Sequence, residues 1–259
     1  MDESDRRSPA SRRRAAARTP GAGSTPVAGV ATAAVSTALS GALSGSAAAS
    51  APAASALAAA PARVALGHAE LVDRLRRRLG EHRPQRVHLA GFRPAAVAII
   101  LGEVAGITRV TLTLRSPHLR AHSGQVSLPG GVRDPGDTSA AATALRESHE
   151  EIGVTAGQLR VVGVLDDQPT ISRYIITPIV TELVARPRYR RNPDEVAEIF
   201  EAPLALFGDP ARAEDLGERL VAGRRYRARS YRYRDYRIRG ATARILEQLV
   251  RLVDRWPGQ

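Results

Sequence analysis

The sequence of 259 residues contains no cysteine. That excludes a disulfide framework, a thiolate nucleophile and a Cys-ligated zinc or iron–sulfur centre, and it is compatible with a reducing compartment. Lysine is also absent, so all 38 basic residues are arginine and neither Schiff-base chemistry nor a Walker-type lysine is available. Aromatic residues make up 4% of the chain, so any aromatic surface has to be local; the densest is the Arg/Tyr run from Arg224 to Arg239. Long apolar runs are missing too. The Ala/Ser/Gly stretch in the first 62 residues is too weakly hydrophobic for a membrane span or a secretory core, and the acidic start (Asp2, Glu3, Asp5) is wrong for an import peptide.

What is abundant is positive charge, formally +12. Its distribution matters more than its size. Residues 1–62 carry six Arg against three acids and residues 211–259 carry 13 Arg against six, which leaves the segment between them at only +2. An Arg-only, Ala-rich composition is what a GC-rich genome produces, so the excess is weak support for a nucleic-acid partner.

Three segments are expected. Residues 1–62 have too few large apolar side chains to offset their ordering entropy and are expected to form a disordered tail. Residues 63–88 are expected to hold an N-terminal helix and a linker, because Val64, Leu66, Leu71, Leu75 and Leu79 recur at mostly helical spacing from Arg63 to Gly80. Residues 89–259 form the main domain. There the β-branched runs Ala95 to Leu101 and Val110 to Leu114, and Leu159 to Leu165 and Ile175 to Val184, predict two strand pairs. Helices are predicted over Ser139 to Ile152 and Thr242 to Val253. With no regular βαβ repeat, the fold class is α+β, a sandwich with helices on both sides of a mixed sheet.

The chemistry is concentrated between Leu112 and Val154. A Gly130-Gly131 turn precedes the helix carrying Arg146, Glu147, Glu150 and Glu151, with Asp137 or Thr138 as its cap and Gly153 as its end. With Leu145 at zero and about 100 degrees per residue, Glu150, Glu147 and Glu151 fall near 140, 200 and 240 degrees. Ala141, Leu145, Ser148 and Ile152 form the opposite, core-facing stripe, and His149 lies at its edge. Like charges at i,i+4 cost roughly 0.2–0.5 kcal/mol per pair, which a cation would offset, and Mg²⁺ suits a few carboxylates plus substrate phosphates. The alternative from geometry alone is a solvated acidic face partnered by Arg146.

The stretch GGVRDPGDTSAAATALRESHEEIGV resembles the Nudix box, G-x5-E-x7-R-E-U-x-E-E-x-G-U with U apolar. Arg146 to Val154 follows it at every fixed position, with Ser148 in the first apolar place. The first half departs, with Asp137 where the family has Glu and one extra residue before Arg146. That insertion, and the preceding LTLRSPHLRAHSGQVSLPGG, are similar to the coenzyme A pyrophosphatase branch, with Leu128 where Phe is common. The likeness continues through Ile176 to Val180, Asn192 to Phe207 and Ile238 to Leu246.

The resemblance implies a Nudix-type α/β/α sandwich and hydrolysis of the diphosphate bond of coenzyme A and its derivatives to 3′,5′-ADP and (acyl-)4′-phosphopantetheine, with ADP-ribose or NADH as alternative substrates. It implies Mg²⁺ or Mn²⁺ held by Glu147, Glu151 and Glu150, with a Gly131 carbonyl, and Arg146 orienting the glutamates. Arg115, Arg120 and His122 would bind substrate, the charged guanidinium suiting bidentate phosphate recognition. The expected partner is a small-molecule substrate, with a homodimer left open, no membrane, and nucleic acid disfavoured. In the Arg/Tyr run, Tyr231 and Tyr233 alternate with Arg232 and Arg234 as in a half-buried strand, although one Tyr could stack on a nucleotide. The ending Trp256-Pro257-Gly258-Gln259 lacks a Ser-Lys-Leu type signal, so the cytoplasm is the expected location.

Overall fold

The computed structural model describes residues 66–117 and 124–254, all within the compact unit Ala53–Gln259. The expected tail therefore lies outside the described residues, as do His118, Arg120, His122 and Ser123. The elements run in chain order as α1 (His68–Glu81), β1 (Arg93–Val104), β2 (Ile107–Arg115), β3 (Val126–Ser127), β4 (Gly130–Val132), α2 (Ala140–Ile152) and β5 (Leu159–Val164). They continue as β6 (Gln168–Pro169), β7 (Tyr174–Leu183), β8 (Val196–Pro203), β9 (Ala213–Val221), β10 (Arg224–Tyr233), β11 (Tyr236–Arg239) and α3 (Gly240–Asp254).

The sheet is mixed: β1 and β7 run parallel over Arg93–Leu101, while β1 pairs antiparallel with β2 and β5 with β7. Central β1 is apolar on both faces because both are covered. Ile99 and Leu101 join Leu71, Leu75, Leu246 and Leu249 of α1 and α3 in one core. Ala96, Ala98 and Ile100 meet Ala144 and Ile152 of α2 in another. The result is an α/β/α sandwich, and the small Ala96 and Ala98 let α2 lie close to the sheet.

One departure from regular pairing builds the site. Since β7 occupies one edge of β1, both β2 and β4 must lie along the other. There β2 pairs from Leu101 to Val104, and β4 takes Ala95–Val97. Strands β1 and β2 thus part, and β3–β4 fills the fork by pairing Thr113–Leu114 and Ala95–Val97 in turn. Gly130-Gly131 is therefore a strand rather than the expected turn. The Arg/Tyr run forms the β10–β11 hairpin of a separate three-stranded antiparallel sheet with β9. Tyr231 is buried and donates to Glu247 at 2.9 Å, and Tyr236 stacks on Phe200 with centroids 3.8 Å apart. Those two rings are committed to packing.

Among the described residues, no helix is long and apolar enough to cross a membrane.

Candidate active site

Helix α2 is set by its ends. Ser139, rather than the expected Asp137 or Thr138, is the N-cap, accepting from the Ala142 N–H at 3.0 Å. Gly153 closes the helix at φ 73°, donating to the His149 carbonyl at 3.0 Å while Val154 donates to that of Ser148. Only a residue tolerating left-handed backbone makes this closure cheaply. Ser148 fits the core stripe because its hydroxyl donates to the Ala144 carbonyl at 2.7 Å. Ala141 and Leu145 are only partly buried, Thr143 and Glu151 are buried instead, and His149 is exposed rather than at the core edge. The buried stripe is rotated toward β4.

That rotation separates the three glutamates. Glu150 stands at the exposed edge and accepts from Arg146 Nη1 at 2.8 Å; Glu147 is half-buried and accepts from the same nitrogen at 2.9 Å. Glu151 is 3% exposed, and its Oε2 accepts from the Gly130 N–H at 3.1 Å. Burial pushes the Glu151 carboxyl up to about 8, against the pull of the Gly130 hydrogen bond and of Arg115. Burial also raises Glu147, opposed by its bond to Arg146.

Arg146 binds these groups to the loop before the helix. Its Nε and Nη2 each reach one oxygen of Asp137 at 3.1 Å, and Nη2 also donates to the Val132 carbonyl at 3.1 Å. Arg146 accordingly holds the Asp137 carboxyl far below the usual carboxylate range. The Asp that departs from the box pattern is thus a buried partner of Arg146. Asp134 joins at 3.9 Å, and Arg133 donates to the Asp137 carbonyl.

Arg115 at the end of β2 reaches Glu151 Oε1 at 3.7 Å, and its Nε is buried with no hydrogen-bond partner among the described residues. Arg120 and His122 lie outside the described residues. Glu195 was assigned no role from the sequence, but its charge opposes ionisation of both Glu147 and Glu151. The loop carrying it is held on two sides. Ser116 N–H donates to the Glu195 carbonyl at 2.9 Å, and Asn192 N–H donates to the Glu151 carbonyl at 2.8 Å. Its only sequence signal was its place in the stretch from Asn192 to Phe207 that continues the resemblance.

A divalent cation suits this donor set. The charges of Glu147 and Glu195 both act on buried Glu151, with Arg115 at 3.7 Å as its ion-pair partner, a charge arrangement that Mg²⁺ or Mn²⁺ would neutralise. Gly131 supports the same reading, because a β-carbon there would stand 2.6 Å from Glu147 Oε2. Among the described residues, no three His, Cys, Asp or Glu side chains are placed together so as to hold a metal ion, so water and substrate oxygens would have to supply much of the shell.

Comparison with known proteins follows the same lines. Residues 91–220 match the NUDIX domain model. A relative from Photorhabdus laumondii described as an uncharacterized Nudix hydrolase NudL is 42% identical over 145 residues, covering 55% of this chain and 76% of its own. The protein of the same description from Escherichia coli strain K12 is 46% identical over 94 residues, covering 36% of this chain; the match spans only about half (49%) of that relative's length. A solved MutT/nudix family protein from Enterococcus faecalis superposes with a TM-score of 0.42 at 16% identity, over 75% of this chain and 77% of its own. Matched by the NUDIX domain model and by a relative at 42% identity over three quarters of that relative's length, the chain belongs to the Nudix hydrolase family.

Proposed function

We propose that this Nudix protein hydrolyses the diphosphate bond of coenzyme A and its derivatives, giving 3′,5′-ADP and (acyl-)4′-phosphopantetheine, with Mg²⁺ or Mn²⁺ as cofactor. The observation that supports the substrate is the position of Arg115. It belongs to the LTLRSPHLRAHSGQVSLPGG segment similar to the coenzyme A branch, and its guanidinium lies 3.7 Å from buried Glu151.

Glu147 and Glu151 are the proposed metal ligands, with Glu150, Glu195 and the Gly131 carbonyl as further donors. The bound metal supplies charge neutralisation of the diphosphate and activation of water. Arg146, tied to Asp137, holds Glu147 in place. Arg115 offers guanidinium N–H groups to a phosphate oxygen, and Arg120 and His122 of the same segment, outside the described residues, are the other proposed substrate-binding side chains. The charge of Glu195 acts on both proposed ligands, and its carboxylate is the candidate to accept a proton from the attacking water.

Purified protein incubated with Mg²⁺ and a panel of coenzyme A, acetyl-coenzyme A, ADP-ribose and NADH tests the substrate. Cleavage of the coenzyme A compounds, abolished in Glu151→Gln, is expected. If ADP-ribose or NADH is cut while coenzyme A stays intact, the substrate assignment is wrong.

A further inference from the structure

Strand β10 and helix α3 enclose a cleft of about 510 Å³ whose walls carry Arg225, Arg227, Arg229, Arg244 and Arg251, with Tyr226 among them. It lies on the side of the sheet covered by α1 and α3, whereas the carboxylates of the candidate active site belong to α2 on the other side. Its size is that of a small-ligand pocket, roughly 300–1,000 Å³.

The charges inside do not balance. Arg229 and Arg251 both lean on one carboxylate, Glu247, at 3.6 and 3.5 Å. Glu247 also accepts a hydrogen bond from the Tyr231 hydroxyl at 2.9 Å. The other acid of the cleft, Asp166, is occupied by His82 at 3.0 Å, the Gln85 N–H at 2.8 Å and Gln248 at 2.7 Å. Arg244 has no carboxylate in hydrogen-bond contact: its guanidinium lies over the Tyr226 ring at 4.6 Å and donates to the Pro169 carbonyl at 2.8 Å, while its Nε is buried with no partner among the described residues. Arg225 and Arg227 line the outer part, paired to Glu218 and Asp215 of β9. Arg229 and Arg251 thus share one carboxylate, and Arg244, which lines the same cleft, has none in hydrogen-bond contact.

We propose that this cleft is a second anion site, one that takes the phosphate groups of a nucleotide-sized molecule. Guanidinium forks present paired N–H donors that match phosphate oxygens, and Arg229, Arg244 and Arg251 in one cleft suit two adjacent phosphates better than one carboxylate. The occupant is a small phosphorylated molecule rather than a nucleic acid strand, because the ring of Tyr226 is covered by Arg244 and Tyr231 is buried. No open run of aromatic faces is left for successive bases.

The test is calorimetric titration of the full chain in EDTA with ADP, inorganic pyrophosphate and adenosine. EDTA removes metal-bridged binding at the carboxylates of α2, and Arg115→Gln, which removes a proposed phosphate contact of the active site, separates that site from the cleft. ADP and pyrophosphate are expected to bind at one site, adenosine not to bind, and Arg229→Gln/Arg251→Gln to weaken ADP at least tenfold, with ADP binding unchanged in Arg115→Gln. Arg244→Gln gives a second, deeper test whose folding is checked by its melting transition. The site is overturned if ADP does not bind at millimolar concentration, if neither Arg229→Gln/Arg251→Gln nor Arg244→Gln weakens it, if Arg115→Gln abolishes it, or if adenosine binds equally well. A single-stranded oligonucleotide that displaces ADP at equal nucleotide concentration would overturn it in favour of nucleic-acid binding.

Discussion

Arg146 and Asp137 are joined by two hydrogen bonds of 3.1 Å, one to each carboxylate oxygen, while the same guanidinium holds Glu147 at 2.9 Å. Asp137 thereby fixes Glu147 through Arg146 without being a ligand itself. Losing such an outer partner typically costs 10- to 100-fold in metal affinity or activity. Asp137→Asn keeps one acceptor oxygen but loses the charge, so a fall of roughly that size in apparent Mg²⁺ affinity is expected. Asp137→Glu restores a carboxylate and should recover much of it. Equal affinities for all three proteins in a Mg²⁺ titration of activity would show that Arg146 needs no anchor.

Gly130 and Gly131 are adjacent but should fail differently. At Gly130, φ is 152° and an added β-carbon would stand 2.6 Å from Val97 Cα, so backbone would have to move. Gly130→Ala should cost about 2 kcal/mol or more in stability. At Gly131 the atoms in the way are the carboxylate end of Glu147, which can swing aside. Gly131→Ala is expected to fold with little change in Tm and to lose about 100-fold in kcat, the scale associated with a displacement of about 1 Å at a reacting centre. Thermal melts and single-turnover kinetics on the two variants separate the effects; an unfolded Gly131→Ala protein would contradict this assignment.

Helical spacing was enough to show that α2 carries Arg146 and three glutamates, yet it grouped Glu151 with the exposed acids. Its burial is non-local: β4 offers the Gly130 N–H to its carboxylate, and the loop at Asn192 covers its backbone carbonyl. No periodicity in α2 encodes either. Glu195 was missed for the same reason, since its place depends on where the chain before β8 docks. Strands β3 and β4 are two and three residues long, and β9 is mostly exposed, so neither apolar runs nor alternation marked them. By contrast, the continuous apolar run of β1, buried on both faces, was legible at once.

Tyr231 offers a prediction away from the site. Its ring packs edge-on against Phe207, 5.2 Å between centroids, and its hydroxyl holds buried Glu247. Tyr231→Phe keeps the ring and leaves the carboxylate short of a donor. A loss of about 1–2 kcal/mol in denaturant unfolding is expected, with the proposed hydrolysis unchanged. A neutral result would mean that Arg229 and Arg251 alone satisfy Glu247.

The buried Glu151 sets a pH dependence whose sign can be worked out. Its folded pKa is raised to about 8 from 4.5. Between those values the unfolded chain has released the proton and the folded one retains it, so the folded state binds more protons and stability falls as pH rises. Above about pH 8 both states are ionised and the loss is complete. In EDTA, the Tm of the wild type should therefore decline relative to that of Glu151→Gln from about pH 4.5 to 8, with no further divergence above. Because metal competes with the proton for the same carboxylate, Mg²⁺ should stabilise the wild type more at pH 8 than at pH 5, and should do so far less in Glu151→Gln. Parallel Tm profiles for the two proteins in EDTA would show that Glu151 is not the group that titrates. A Mg²⁺ response equal in both would remove Glu151 from the ligand set while leaving the fold assignment intact.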